Sequence, residues 1–284
     1  MALAEANRKF FDLADLYDNE PWKVKADSQI TDAVRGRLDW ISVTWAKPEP
    51  GAGVEGTEEV RLLDYACGTG LISRVLGPYV TTITGIDISP NMVSAYSKHA
   101  ADAGIPSSKL SAVVGDLFTP EPSSALAGPE YFNFDIAAVG SAYHHFEDVE
   151  LSTKRLVERL KPGGVLFIID LIQEPGTDHF HGHEQHGHGH RDPNHGHDHN
   201  HERHPHHGHD HGGIPQGFLK ALPKQMVDSI QVSGFNETSV RAFFEKAGLV
   251  DFGVTMLDEK LRIEHGGRSI EKTVFLARGT KPIV

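Results

Sequence analysis

Two neighbouring turns in the first third of the chain restrict its fold more than any other feature. Residues 62–70 read Leu-Leu-Asp-Tyr-Ala-Cys-Gly-Thr-Gly, and Gly85-Ile86-Asp87-Ile88-Ser89 follows at the next strand end. In the first, an apolar strand from Val60 to Leu63 runs into a turn carrying Gly68 and Gly70, and Leu71 to Leu76 reads as helix. In the second, an apolar strand from Ile83 to Ile86 ends in an acid. Strand, turn and helix in that order predict an α/β fold with a doubly wound sheet, and ligands of such sheets lie outside the carboxyl ends of the strands. An acid about 20 residues beyond a glycine-rich turn is where a pair of ribose hydroxyls is gripped. The chain therefore reads as a holder of a nucleoside-bearing cofactor.

The details of the turn narrow the nucleoside. A dinucleotide fingerprint, Gly-x-Gly-x-x-Gly, seats a pyrophosphate on a helix N-terminus. Here the third glycine is missing from Gly68-Thr69-Gly70-Leu71-Ile72-Ser73, and Asp64 at the head of the turn suits a cation better than a pyrophosphate. An NAD-dependent oxidoreductase is disfavoured on both grounds. The run Asp64-x-Ala66-x-Gly68-x-Gly70 resembles the first motif of the class I S-adenosylmethionine-dependent methyltransferases, with Ala66 in place of a usual glycine.

The resemblance continues in order along the chain. Val113-Val114-Gly115-Asp116-Leu117 is similar to the third motif, and the run from Phe134 to Phe146 to the fourth strand and its exit loop. Leu160-Lys161-Pro162-Gly163-Gly164 and Val165 to Asp170 are similar to the helix, turn and strand that lead into strand five. The branch resembled is the small-molecule, UbiE-like methyltransferase-domain family. It implies a Rossmann-like, seven-stranded, mostly parallel sheet with an antiparallel last strand. It further implies that S-adenosylmethionine is held by Asp64, Ala66, Gly68, Thr69, Gly70, Asp87, Ile88, Met92, Asp116, Leu117, Gly140 and Tyr143. In that family the acid matching Asp64 orients the methionine moiety, the one matching Asp87 binds the ribose hydroxyls, and the one matching Asp116 faces the adenine amino group.

Composition bounds the remaining possibilities. At 284 residues the chain is long enough for one α/β core with attachments. It has no run of 18 or more apolar residues, which argues against a membrane span, and its first residues lack the layout of a secretory signal. Its single cysteine, Cys67, lies inside the glycine turn, so no intrachain disulfide is available, and a cytoplasmic location is the expectation. A net charge of -12 argues against a broad phosphate-binding face, and so against nucleic acid as partner. The expected acceptor is a small molecule, attacked through O, N, S or C, with a protein acceptor as the second possibility.

Four stretches divide the chain: an N-terminal helical extension and linker over 1–57, the cofactor core over 58–172, an insertion over 173–217, and a C-terminal part of the same domain over 218–284. Phe10, Leu13, Leu16 and Tyr17 have helical spacing, and Lys47 to Gly53 has linker composition. The opening Phe10-Phe11-Asp12 to Tyr17-Asp18 resembles the lid helix of related enzymes. Two readings of Tyr17 stand: a place near the cofactor sulfonium, or packing into the core. In the C-terminal part, a helix over 237–247 and a last strand from Thr273 to Ala277 are expected.

His144 and His145 are the catalytic candidates, because they follow the fourth strand at the end of the sheet where cofactor and acceptor should meet. An imidazole there could take a proton from the nucleophile, or both rings could serve packing.

Fifteen of the nineteen histidines lie between His179 and His211. Repeats such as His186-Gly187-His188-Gly189-His190, with His197, His199 and His201, can chelate a divalent metal (Zn, Ni or Cu). Two rival functions follow: a metal-handling protein acting through this loop, and a catalytically inactive cofactor-binding interaction module.

Overall fold

The apolar runs that end in acids fold as the inner strands of one sheet. The computed structural model describes residues 18–46, 58–119, 124–173, 220 and 229–283. Its strands β1 (Arg61–Tyr65), β2 (Thr82–Asp87), β3 (Leu110–Val114), β4 (Phe134–Gly140) and β5 (Leu160–Leu171) pair in parallel. β6 (Val250–Met256) and β9 (Val274–Thr280) complete the order β3-β2-β1-β4-β5-β9-β6. β9 runs antiparallel to both β5 and β6, so the sheet is the seven-stranded, mostly parallel one that the sequence predicts.

Parallel strands must be covered on both faces, and the strand sequences show how. Leu62, Ile136, Ala138, Val165, Phe167 and Ile169 point to one hydrophobic cluster. Leu63, Ala137, Val139, Leu166 and Ile168, their alternate neighbours, point to the other. The first face is closed by α1 (Pro21–Arg35), α2 (Leu38–Ile41) and α3 (Leu71–Leu76), through Ala26, Ile30, Val34, Ile41, Ile72, Val75 and Leu76. The second is closed by α5 (Val149–Arg159) and α6 (Glu237–Lys246), through Leu156, Val240, Phe243 and Phe244. α4 (Pro90–Asp102) packs against β2 and β3.

Helix starts are set by short polar side chains. Ser89 accepts from the Met92 N–H at 3.3 Å, Asp148 from that of Leu151 at 2.9 Å, and Asn236 forms a reciprocal pair with Ser239. Each such cap contributes about 1 kcal/mol.

Three features depart from the sequence expectations or are additional to them. β5 already begins at Leu160, and its pairing with β4 shifts register between Phe134 and Ile136, so the Lys161–Gly164 turn is absorbed into the strand edge. A charged hairpin, β7 (Leu261–His265) and β8 (Arg268–Lys272), turns through Gly266 and Gly267, both at positive φ, and packs against α1. Asp135 opens β4 at the end of the sheet opposite the glycine turn, where it accepts from the Arg61 N–H at 2.7 Å and pairs with Lys161.

Candidate functional site

The carboxyl ends of β1 and β2 carry Asp64 and Asp87, and the backbone between β1 and α3 is bent so that both acids serve it. Ala66, Gly68 and Gly70 take φ of 53°, 51° and 90°. An alanine in that region is strained by about 1–2 kcal/mol. Gly70 has no room for a side chain: a Cβ there would lie 2.7 Å from the Tyr96 ring, and one at Gly85 would meet the same ring at 2.7 Å. Tyr96 is thus wedged under the turn between two glycines. At Gly68 the situation is reversed, for a Cβ would meet nothing within 4 Å. That position faces open space.

The two acids brace this turn. Oδ2 of Asp64 accepts the backbone N–H of Ser73 at 3.1 Å and its hydroxyl at 2.6 Å, and Tyr96 donates to the Ser73 oxygen at 2.6 Å. Burial pushes the Asp64 carboxyl up to about 7, against the pull of these hydrogen bonds. Asp87 accepts from the Gly68 N–H and the Ser89 N–H, each at 2.9 Å, and burial raises its carboxyl too.

At the end of β3, Oδ1 of Asp116 accepts the Tyr65 hydroxyl at 3.2 Å and the Phe118 N–H at 2.8 Å, while the Leu117 N–H donates to the Tyr65 oxygen at 3.2 Å. Met92 is buried on α4, and Ile88 is half-buried beside it in the β2–α4 turn. The Thr69 carbonyl accepts from Arg74 and faces Nδ1 of His99 at 3.3 Å. Gly140, at the end of β4, packs directly on Ile72.

The Tyr143 ring is fully buried, stacks on Phe243 with centroids 5.7 Å apart, and has its hydroxyl against Thr153 at 3.3 Å. Its side chain belongs to the core under α5 and α6, because an aromatic ring buries more apolar area there than any exposed position would allow.

The histidine turn follows β4 as a single tight turn over Tyr143–His145. The two rings lie 4.1 Å apart, yet their surroundings differ. Nδ1 of His144 is 2.8 Å from Oδ1 of Asp170, and the His144 N–H donates to Oδ2 of the same carboxylate at 3.2 Å. Nδ1 of His145 donates to the Ser229 carbonyl at 2.9 Å. Burial and then the neighbouring His144 push the His145 imidazole down to about 3, so it is neutral at pH 7. A ring so reluctant to take a proton is a poor base.

Sequence reasoning misses Asp170, Ser73 and Tyr96. A signal for Asp170 exists, since it ends an apolar strand in the same manner as Asp64 and Asp87. Tyr17 and the six loop histidines His186, His188, His190, His197, His199 and His201 lie outside the described residues. Among the described residues, no group of three or more His, Cys, Asp or Glu side chains is placed to hold a metal ion, and no helix is long and apolar enough to cross a membrane.

Comparison with known proteins gives this geometry a context. Residues 63–166 match the family described as "Methyltransferase domain". An uncharacterised methyltransferase of Schizosaccharomyces pombe is 42% identical over 123 residues, which is 43% of this chain and 41% of that one. A ubiquinone biosynthesis O-methyltransferase of Xanthomonas campestris is 28% identical over 141 residues, 50% of this chain and 51% of that one. The chain thus spans about half the length, or less, of these curated relatives. Among solved structures, the S-adenosylmethionine-dependent methyltransferase of Anabaena variabilis aligns over 98% of this chain and 94% of its own, with a TM-score of 0.58 at 17% identity. That likeness shows the fold.

Proposed function

We propose, from the premise that this chain carries a class I S-adenosylmethionine-dependent methyltransferase domain, that it methylates a small-molecule acceptor. The observation that carries the reading is the pairing of open space at Gly68 with strand-end acids at Asp64, Asp87 and Asp116.

The donor set fits the cofactor. Carboxylates accept hydrogen bonds from hydroxyl, amino and ammonium groups, all of which S-adenosylmethionine carries. They repel a pyrophosphate, and the nearby Arg74 is engaged with the Thr69 carbonyl, so a dinucleotide fits poorly. In this reading Asp87 takes the ribose hydroxyls, Asp116 and Leu117 lie against the adenine with Met92 and Ile88, and Asp64 serves the methionine ammonium. When bound, the cofactor supplies a methyl group made electrophilic by a sulfonium.

The protein's part is to align the acceptor and exclude water, which supplies much of the acceleration. His144 is the side chain that receives a proton where the acceptor must lose one. A small acceptor is favoured by the ubiquinone-pathway names of the relatives. The charge of -12 supports the same choice over nucleic acid.

Calorimetry with S-adenosylmethionine, S-adenosylhomocysteine and NAD tests the reading. Micromolar binding of both adenosyl ligands by the wild type, absent for NAD and lost in Asp87→Ala, is the expected result. A wild type that binds neither adenosyl ligand would overturn it.

A further inference from the structure

We propose that the cavity bounded by α1, α3 and the turn from α4 into β3 is a second ligand site, and that it takes a small organic phosphate ester. No step of methyl transfer passes through it, so the assignment goes beyond the reading above and does not rest on it.

The cavity measures about 400 Å³, within the range of about 300–1,000 Å³ that small-molecule sites occupy. Three cations from three separate elements line it: Arg35 at the end of α1, Arg74 on α3 and Lys109 just before β3. No acid is among the described residues that line it. In a chain of net charge -12 this is a local reversal of sign. Pro78, Ile105 and Pro106 supply an apolar part of the wall.

Helix electrostatics account for only part of this charge. Arg35 and Arg74 lie in the last turns of α1 and α3, where the helix dipole favours a cation. Lys109 ends no helix. Its side chain is half-buried, and burial pushes its ammonium down with no acid opposing the shift. Neither Lys109 nor Arg35 has a side-chain hydrogen-bond or ion-pair partner among the described residues. Arg74 gives one N–H to the Thr69 carbonyl and keeps its others. A cation held partly out of water without a counter-charge is destabilised until an anion supplies one.

The backbone around these cations is fixed before any ligand arrives. The Lys109 N–H donates to the Pro106 carbonyl at 2.9 Å, and the Lys109 carbonyl accepts from the Ile83 N–H at 2.8 Å. The Ile105 N–H donates to the Ala100 carbonyl and the Gly104 N–H to that of Ala101, each at 2.9 Å, which holds the exit from α4. Across the cavity, the Arg74 N–H donates to the Gly70 carbonyl at 3.0 Å. A site held in this way loses little freedom on binding.

The lining chooses the ligand. Two guanidiniums offer flat forks of donors that match a phosphoryl group on two oxygens, and an ammonium adds a point charge. A phosphate monoester carries close to two negative charges at neutral pH, where a carboxylate carries one. Three cations therefore favour phosphate over carboxylate. Inorganic phosphate would leave the apolar wall uncovered, whereas the organic part of an ester buries Pro78, Ile105 and Pro106. Nucleic acid is disfavoured, since the cations are gathered in a recess and the net charge of the chain repels a polyanion.

Calorimetry on the full chain at fixed ionic strength tests the assignment, with phenyl phosphate, inorganic phosphate and benzoate as probes. Phenyl phosphate is expected to bind once per chain with a Kd below about 1 mM, and at least about tenfold more tightly than the other two. Lys109→Met and Arg35→Met should each weaken it about tenfold or more, with the melting midpoint unchanged. Arg35 is exposed, so its variant decides the matter if Lys109→Met melts early. Backbone amide NMR places the anion independently, with shifts on addition of the ester expected at Gly104 and Lys109. Absence of phenyl phosphate binding, or affinity unchanged in both variants, would overturn the site. So would amide shifts centred on Gly68 and Ser89, which would put the anion in the cofactor cleft. Inorganic phosphate or benzoate bound as tightly as the ester would overturn the ligand class.

Discussion

The glycine turn and the histidine turn start from the same construction. Each leaves the carboxyl end of a parallel strand, each soon takes a non-glycine residue through positive φ (Ala66 at 53°, Ser141 at 54°), and each leans on a buried acid, Asp64 or Asp170. They are finished differently. In the glycine turn, Asp64 is answered by Ser73 and Asp87 by two backbone N–H groups, so what is left over is room, at Gly68. In the histidine turn, Asp170 answers His144 on two atoms, the ring Nδ1 and the backbone N–H. One turn is left with room, and the other with a ring held on two atoms by one carboxylate. A buried acid is thus no functional assignment by itself.

The sharpest way to break this comparison is to treat the two adjacent histidines alike. His144→Ala is expected to lower methyl transfer to the acceptor by about 10²–10⁴-fold while S-adenosylmethionine affinity stays put. His145→Ala should leave most of kcat, because its ring already refuses a proton at neutral pH. Its loss should instead lower thermal stability, by about 1–3 kcal/mol, since a buried ring and its hydrogen bond to the Ser229 carbonyl are removed. Rapid-quench turnover and thermal melts on both variants separate the effects. Equal loss of kcat in the two would erase the distinction between the rings.

Strand-end acids and short apolar runs make the sheet legible in the sequence alone. Periodicity and glycine placement give the strands, and the acids give the edge of the sheet at which a ligand sits. Individual side-chain partners are not legible in the same way, because they depend on which residues the fold brings together across long stretches of chain. Asp170 meets His144 across 26 positions, and Asp64 meets Tyr96 only through Ser73. The core packing of Tyr143 is one such case, since it follows β4 directly beside two site candidates. The turn directs its ring to α6, and nothing local in the sequence announces that. The β7–β8 hairpin escapes because its alternation is of charge with few apolar residues, a pattern that reads as loop.

The glycine turn can be tested by filling it. Gly70→Ala must hold φ near 90° with a methyl group 2.7 Å from the Tyr96 ring, which the same ring's contact with Gly85 prevents from retreating. Strain of about 1–3 kcal/mol is expected, read as a lower melting midpoint and S-adenosylmethionine binding weakened by roughly 10–100-fold. Ser141→Gly, in the other turn, relieves a positive φ and should be neutral or slightly stabilising. If Gly70→Ala binds as the wild type does, the shape of this turn is not what holds the cofactor.

The smallest expected effect concerns the charge on Asp64. A carboxyl lifted to about 7 in the folded chain binds its proton more tightly there than in the unfolded chain, where the value is about 4. Its contribution to stability therefore grows as pH falls from about 7 towards 4, and is lost as pH rises through 7. Cofactor binding should run the opposite way. An ammonium beside this carboxyl favours the ionised form, so below about 7 the free protein must first give up a proton. S-Adenosylmethionine affinity should then weaken by up to about tenfold per pH unit on the acid side and level off above neutrality. In Asp64→Asn the slope should vanish, with weaker binding at every pH. Calorimetry in buffers of differing ionisation enthalpy counts the proton released. A flat profile for the wild type would mean that Asp64 serves Ser73 alone, making the first acid of the motif a brace for the turn rather than a ligand.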